Sequence, residues 1–137
     1  MQDHPVTVLV IEGHPLMRAA ICSAIADEPD LTIGGVAARG VDTFEIVQAL
    51  HPEVILIAVG NPGLEDLAAI KALRAIAPAT AILALTSAEV EGQEQAALEA
   101  GADAALAKTV QRADLLHSLR KLQELSSDAR VRNRHLP

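Results

Sequence analysis

Five short apolar runs, each about the length of a β-strand, alternate along the chain with segments whose apolar residues repeat at helical spacing. The runs cover residues 6–11, 31–38, 53–59, 80–85 and 103–107. The helical segments cover residues 16–28, 43–50, 65–77, 89–100 and 110–125. Such alternation is typical of a parallel sheet with right-handed crossovers and helices on both faces. We therefore expect an α/β, flavodoxin-like, doubly wound five-stranded parallel sheet in the order 2-1-3-4-5, with five helices.

Residues that favour turns and helix ends mark several of the boundaries. Gly34 and Gly35 should weaken or bend the second strand. Asp42 is a suitable N-cap for the second helix. Gly101 is a suitable C-terminal signal for the fourth. The 137 residues fit one domain, which we place at residues 1–125, and the polar residues 126–137 form a tail or the start of a linker.

Composition excludes several classes of function. The chain has one Phe and no Trp or Tyr, so its core must be aliphatic and base stacking on aromatic side chains is excluded. A formal charge of −7 argues against nucleic-acid binding by the domain itself. The single cysteine, Cys22, excludes an internal disulfide and is expected to be a small side chain on the first helix. Neither a signal sequence nor a membrane span is evident, so we expect a soluble, cytoplasmic protein.

The stretch EVILIAVGNPGLED, residues 53–66, is where a functional site is most expected. It predicts a buried strand that runs through a turn into a helix. In open α/β sheets, ligands bind outside the carboxyl ends of the parallel strands. The residue at this strand end is Ala58, whose side chain carries no reactive group.

Four segments of the sequence resemble one family. They are VLVIEGHPLMR, HPEVILI with its NPG turn, RAIAPATAILALTS and EAGADAALAKT. In this order and spacing they resemble the CheY-like receiver domain of bacterial response regulators, especially the LuxR/NarL type, over residues 5–125. The resemblance implies a role in two-component signal transduction and in regulating a transcriptional output.

The resemblance also implies the site residues. In that family, two acidic residues and an aspartate bind magnesium, and the aspartate accepts a phosphoryl group from a histidine kinase. A hydroxyl residue then turns toward the phosphoryl group, a lysine contacts it, and an aromatic residue moves inward. Glu12, Thr86 and Lys108 match the first acid, the hydroxyl residue and the lysine. Three positions depart from the pattern: the second acid is Gly13, the phosphoacceptor is Ala58 and the switch aromatic is Ala105.

These departures have chemical consequences. Alanine has no nucleophilic oxygen, so Ala58 cannot accept a phosphoryl group. Magnesium favours an oxygen-rich octahedral shell with one or two carboxylates, and Glu12 alone would give a weak, mostly hydrated site. We therefore expect neither a metal nor another cofactor, and no enzymatic activity. The domain should act by protein–protein interaction or dimerisation, without aspartyl phosphorylation.

Several residues near the predicted site have both a functional and a structural interpretation. Glu12 and Lys108 form either a constitutive ion pair or two solvated side chains. Thr86 and Ser87 provide either an alternative phosphoacceptor or hydroxyls that bind backbone groups, and the latter is more common at strand ends.

Three further residues invite a catalytic or ligand role but have simpler explanations. His14 is expected to be structural or solvated, because no second His or Cys lies at metal-ligand spacing. Glu65 and Asp66 complement the dipole of the third helix and need no role as substitute acceptors.

The predicted partners are proteins. The resemblance implies docking or dimerisation through helix 4, strand 5 and helix 5, or through helices 1 and 5. Glu89, Glu91, Glu94 and Glu99 lie in or near helix 4, while Arg112, Arg120 and Lys121 lie on helix 5, which would permit electrostatic self-complementarity.

A second class of function is a small-molecule site on the same fold, for instance a cobalamin-binding domain. Such domains carry an Asp-x-His-x-x-Gly loop after the first strand. This chain matches that loop only at His14 and has Met17 in place of the glycine, which disfavours the alternative.

Overall fold

A single parallel sheet organises the chain. The computed structural model describes residues 5–134, with side chains for residues 5–125. The strands are β1 (Val6–Ile11), β2 (Leu31–Ala37), β3 (Val54–Ala58), β4 (Ala81–Thr86) and β5 (Ala104–Ala107). Every pair of neighbours is parallel and the order is β2-β1-β3-β4-β5. The predicted fold class and strand order are confirmed.

Within the described residues, each of the five strands is followed by an α-helix. The helices are α1 (Pro15–Ala26), α2 (Phe44–Leu50), α3 (Leu64–Ile76), α4 (Gln93–Ala100) and α5 (Arg112–Arg134), and a short 3-10 turn, Gly40–Thr43, precedes α2. No helix in residues 5–134 has both the length and the apolar character needed to cross a bilayer.

The sheet is covered on both faces because alternate residues of its central strands enter two separate cores. One core joins Val8, Leu56 and Leu83 to α1 and α5. The other joins Leu9, Ile57 and Ile82 to α2, α3 and α4. Both cores are aliphatic, and all six of these side chains have no exposed surface. Burial on both faces explains why these strands are continuous apolar runs rather than alternating ones.

Two helix boundaries differ from the sequence prediction by four residues or more. Helix α4 begins at Gln93 rather than at residue 89. Gly92, at φ +79°, adopts the left-handed conformation and separates the preceding turn from the helix. Helix α5 continues to Arg134, nine residues beyond its predicted end at residue 125, so the first part of the predicted tail is helical.

The turn signals were right at two places and wrong at one. Val8 pairs with Ile33 and Leu9 pairs with Gly35, so Gly34 is left out of the pairing between β1 and β2. This shift of register confirms the predicted irregularity of the second strand. Gly101 ends α4 at φ +126°, as predicted. Asp42 is not an N-cap: it lies inside the 3-10 turn, and its carboxylate accepts hydrogen bonds from Arg39 instead.

Candidate functional site

The carboxyl ends of β1, β3, β4 and β5 meet at one edge of the sheet, which we call the carboxyl edge. Ile11 pairs with Ile57, Ala58 with Leu85, and Thr86 with Ala107. The residues Glu12, Gly13, Ala58, Thr86 and Lys108, predicted from separate motifs, therefore lie at or directly after neighbouring strand ends. The sheet topology brings them to one edge, as the fold prediction requires.

Ala58 is the last residue of β3 and is only 5% exposed. Its methyl group belongs to the apolar core between the sheet and the helices α1 and α5. The position at the centre of the carboxyl edge is thus occupied by a hydrocarbon group that packs inward. It offers neither a nucleophilic oxygen nor a metal ligand.

Glu12 is buried at the end of β1, with 6% of its surface exposed. Its backbone carbonyl accepts a hydrogen bond from Arg18 Nη1 at 2.9 Å. Its carboxylate makes no hydrogen bond or ion pair to any residue of the described part of the chain. The following residue, Gly13, is exposed, and a Cβ placed there would lie 3.3 Å from the carbonyl oxygen of Ala38.

The residues at this edge do not fit a magnesium ion. Among residues 5–125, no three His, Cys, Asp or Glu side chains are grouped so that they could hold a metal. Glu12 has no second carboxylate beside it, because position 13 is glycine and position 58 is alanine. One carboxylate is too few to replace much of the tightly held hydration shell of magnesium.

The hydroxyl of Thr86 has a structural role in this arrangement. Thr86 is the last residue of β4 and is 1% exposed. Its Oγ1 donates a hydrogen bond to the backbone carbonyl of Leu106 at 3.3 Å, which ties the ends of β4 and β5 together. This contact supports the structural interpretation of Thr86.

Lys108 and Glu12 line one cleft, together with His14, Leu16, Met17 and Ala20. In the described part of the chain the ammonium group of Lys108 lies within 4 Å of no carboxylate. The structure therefore brings Lys108 and Glu12 to the same cleft without joining them in an ion pair. Ala105 is half-buried and packs against the core on the α3 and α4 side.

Gln93 is the residue of this edge that sequence reasoning missed. It is the first residue of α4 and is 3% exposed. Its Nε2 donates to the carbonyls of Gly60 at 2.8 Å and Pro62 at 3.2 Å, and its Oε1 accepts from the backbone N–H of Ser87 at 2.7 Å. One buried amide, which we call the Gln93 bridge, thus joins the β3–α3 loop to the β4–α4 loop.

No sequence pattern predicts this role, because the three groups that Gln93 binds lie in two loops rather than in its own helix. The acidic residues around Gln93 predict a solvated surface instead. Glu89, Glu91, Glu94 and Glu99 are indeed all exposed.

Two other candidate residues, His14 and Asp66, accept hydrogen bonds from backbone N–H groups. His14 caps α1, since its Nδ1 accepts a hydrogen bond from the backbone N–H of Met17 at 3.4 Å. Asp66 lies in the first turn of α3 and accepts a hydrogen bond from the N–H of Gly60 at 2.9 Å. Glu65, beside it, is exposed.

The arginines of α5 do not complement the acids of α4. Arg112 and Arg120 instead bind Glu28 across the α1–β2 turn, and Arg120 also binds Asp30. Hydrogen bonds from these guanidinium groups lower the pKa of Glu28, and those from Arg120 lower the pKa of Asp30. Of the three cations in the predicted self-complementarity, Arg112 and Arg120 already form ion pairs within the molecule.

Cys22 lies on α1 as predicted. It is half-buried and packs against the core between the sheet and α5. Burial raises the pKa of its thiol. A thiol with a raised pKa forms little of the nucleophilic thiolate at neutral pH, which agrees with the packing of Cys22 against the core.

Comparisons with known proteins agree with this fold. Residues 8–120 match the family model described as the response regulator receiver domain. The chain is 32% identical over 117 residues to the nitrate/nitrite response regulator protein NarL of Escherichia coli, covering 85% of this chain and 54% of NarL. It is 30% identical over 135 residues to a protein-glutamate methylesterase/protein-glutamine glutaminase of Methanosarcina mazei, covering 97% of this chain and 36% of that protein.

Among solved structures, the response regulator domain of Thermotoga maritima CheB superposes with a TM-score of 0.77 at 26% identity, covering 88% of this chain and 98% of that domain. The chain spans about half the length of NarL and about a third of the methylesterase. The similarity therefore covers a domain that occurs in proteins with different remaining parts.

Proposed function

Because the chain belongs to the response regulator receiver family, we propose that it acts in two-component signal transduction through contacts with other proteins, without phosphorylation of an aspartate. The observation that carries this proposal is the buried methyl group of Ala58 at the end of β3. Phosphoryl transfer requires a nucleophilic oxygen at the strand end, and the side chain there has none.

Neighbouring acids are poor substitutes for the missing acceptor. The carboxylate of Asp66 accepts a hydrogen bond from Gly60, which holds it against the β3–α3 loop. Glu65 is exposed on α3 and does not line the cleft that contains Lys108. Because the carboxyl edge does not fit a magnesium ion, neither carboxylate has the metal that normally stabilises the charge of the transferring phosphoryl group.

The Gln93 bridge supports a mode of action that does not need phosphate. It joins the β3–α3 and β4–α4 loops by three hydrogen bonds of neutral groups that are always present. In this proposal the start of α4 keeps one position whatever the state of a kinase. The surface that α4 offers to a partner is then constitutive.

The exposed face of α4 is the favoured contact surface in this proposal. The exposed acids are Glu94 and Glu99 on α4 and Glu91 just before it, and none of them forms an ion pair with a described residue. Leu98 on the same helix is 41% exposed. An apolar residue among unpaired carboxylates suits a partner that presents Lys or Arg around an apolar side chain.

The α1/α5 face is the alternative surface, for a second copy of the chain. In this proposal the domain regulates a transcriptional output, because it resembles LuxR/NarL-type regulators. It acts in the cytoplasm and has no catalytic activity of its own.

Intact-protein mass spectrometry tests the central claim. The chain is incubated with a small phosphodonor and magnesium, and no phosphoryl adduct is expected. The double variant Gly13→Asp with Ala58→Asp is the positive control, since it supplies the missing acid and the acceptor; the Cβ at position 13 needs only a shift of a few tenths of an ångström from Ala38. An adduct on the unmodified chain that maps to Asp66 or any other carboxylate contradicts the proposal.

Sedimentation of the chain and of its Leu98→Asp variant tests the surface. A dimer that Leu98→Asp dissociates indicates self-association through α4. A dimer that survives Leu98→Asp but is lost in a variant on the exposed side of α1 points to the α1/α5 alternative instead.

A further inference from the structure

The cleft between α1 and the end of β5 carries features that signalling through α4 does not use. It is an open cleft of about 390 Å³ at the carboxyl edge of the sheet. Its lining residues are Glu12, His14, Leu16, Met17, Ala20 and Lys108, and we call it the Glu12–Lys108 cleft. Ligand sites commonly measure about 300–1,000 Å³, so this volume suits a small molecule.

The carboxylate of Glu12 is directed into this cleft. Glu12 is 94% buried, given its 6% exposure, and makes no hydrogen bond or ion pair to the described chain. No fully enclosed side-chain oxygen in that part of the chain lacks a partner. Both oxygens of Glu12 must therefore reach the small exposed part of the residue, which opens on the cleft. A carboxylate so placed favours a cation or a hydrogen-bond donor as its partner.

The second charge in the cleft has the opposite sign. Lys108 is half-buried, and its ammonium group has no carboxylate within 4 Å among the described residues. The two charges therefore line one cavity with a gap between them. A ligand that carries both an ammonium and a carboxylate satisfies both charges at once, whereas an anion alone would be repelled by Glu12 and a cation alone by Lys108.

The remaining wall of the cleft is apolar. Leu16 is 78% exposed, the largest exposure among the large apolar side chains described, and Met17 and Ala20 lie beside it. Covering such a side chain removes apolar surface from water, which is favourable by about 25 cal/mol per Å². A ligand with an apolar group next to its two charges would provide that cover.

From these three features we infer that the Glu12–Lys108 cleft binds a small amino acid with an apolar side chain. Its ammonium group contacts Glu12, its carboxylate contacts Lys108, and its side chain lies on Leu16 and Met17. The inference does not depend on the proposed mode of signalling. Phosphorylation is measured by mass spectrometry and ligand binding by NMR, so either proposal can fail while the other holds.

Titration of the ¹⁵N-labelled full chain with L-leucine, followed by two-dimensional NMR, tests the inference. Amide shifts are expected at Glu12, Met17 and Lys108. N-acetyl-L-leucine lacks the ammonium and L-leucinamide lacks the carboxylate, so each is expected to bind at least tenfold more weakly; glycine, which lacks the apolar group, should also bind more weakly. Glu12→Gln and Lys108→Met should each weaken L-leucine binding at least tenfold.

Matched variants keep the test decisive. Glu65→Gln and Lys71→Met remove one exposed charge of each sign from α3 and should leave L-leucine binding within twofold of the unmodified chain. Ala20→Leu fills the cleft without changing a charge and should abolish binding. This variant serves as the test if Glu12→Gln misfolds. Absence of shifts at millimolar L-leucine, equal binding of N-acetyl-L-leucine, or equal loss in the α3 variants overturns the inference.

Discussion

Replacing Gln93 by alanine is the perturbation that bears most directly on how the carboxyl edge is held together. The substitution removes both hydrogen bonds that Nε2 donates and the bond that Oε1 accepts. The backbone N–H of Ser87 and the carbonyls of Gly60 and Pro62 then lose their side-chain partner. Each of these groups belongs to a loop rather than to a strand, so no other regular structure restores the bond.

The size of the effect follows from the geometry. A neutral hydrogen bond contributes about 0.5–1.5 kcal/mol to the free energy of unfolding. The bonds at 2.7 and 2.8 Å belong near the middle of that range and the bond at 3.2 Å at its lower end. All three are only partly buried, so water can replace some of what is lost. We expect Gln93→Ala to lower the free energy of unfolding by about 1.5–2.5 kcal/mol.

Urea unfolding of both proteins measures this loss, and hydrogen exchange locates it. The amide of Ser87 should exchange faster in Gln93→Ala, because it loses its acceptor. The control is Gln95→Ala on the same helix, whose exposed side chain donates a bond to Glu99 and to no other described residue. If Gln93→Ala and Gln95→Ala lose the same stability, within about 0.5 kcal/mol, and Ser87 exchange is unchanged, the bridge does not hold the loops.

Three further predictions concern the rest of the scaffold. Arg120→Gln should reduce stability mainly at neutral pH, because Arg120 lowers the pKa of Asp30. The stability gained from a lowered carboxyl pKa is present above about pH 3.9 and is lost as the pH falls through the folded-state pKa. Arg74→Met should cost roughly 2–4 kcal/mol, because Arg74 donates to several backbone carbonyls and to Asp103. Gly63→Ala should cost roughly 1–3 kcal/mol, since its φ is +84° and a Cβ would lie 2.6 Å from a backbone carbonyl oxygen.

Each of these variants has a matched control, measured by urea unfolding. Lys121→Gln changes an exposed charge beside Arg120 and should not alter the acid limb of the stability profile. Lys71→Met removes an exposed cation from the same helix as Arg74. Gly92→Ala shares a positive φ but has open space around the added Cβ, so a cost equal to that of Gly63→Ala would show that the predicted clash is absent.

The sequence predicted those parts of the structure that depend on local pattern. Continuous apolar runs such as Val6–Ile11 predict buried parallel strands, and parallel strands fix which residues share the carboxyl edge. The extension of α5 to Arg134 was missed because its last turns are polar and show no apolar stripe. The contacts of Gln93 and of Arg120 were missed for a different reason. Gln93 reaches backbone groups up to 33 residues away and Arg120 reaches carboxylates up to 92 residues away, and no spacing rule covers such distances.

The carboxyl edge divides into two halves that should respond independently. On the β3 and β4 side, Gln93 satisfies the loop groups and leaves them fixed. On the side of α1, the carboxylate of Glu12 and the ammonium group of Lys108 form no ion pair with a described residue, and both line an open cleft. The two sets of residues share no hydrogen-bond partner, so their effects should add to within about 0.5 kcal/mol. We therefore expect Gln93→Ala to bind L-leucine within threefold of the unmodified chain while losing stability, and Glu12→Gln to lose binding while keeping the protection of the Ser87 amide. If Gln93→Ala abolishes both properties in a protein that still gives a folded NMR spectrum, the two halves act as one unit and this division of the edge is wrong.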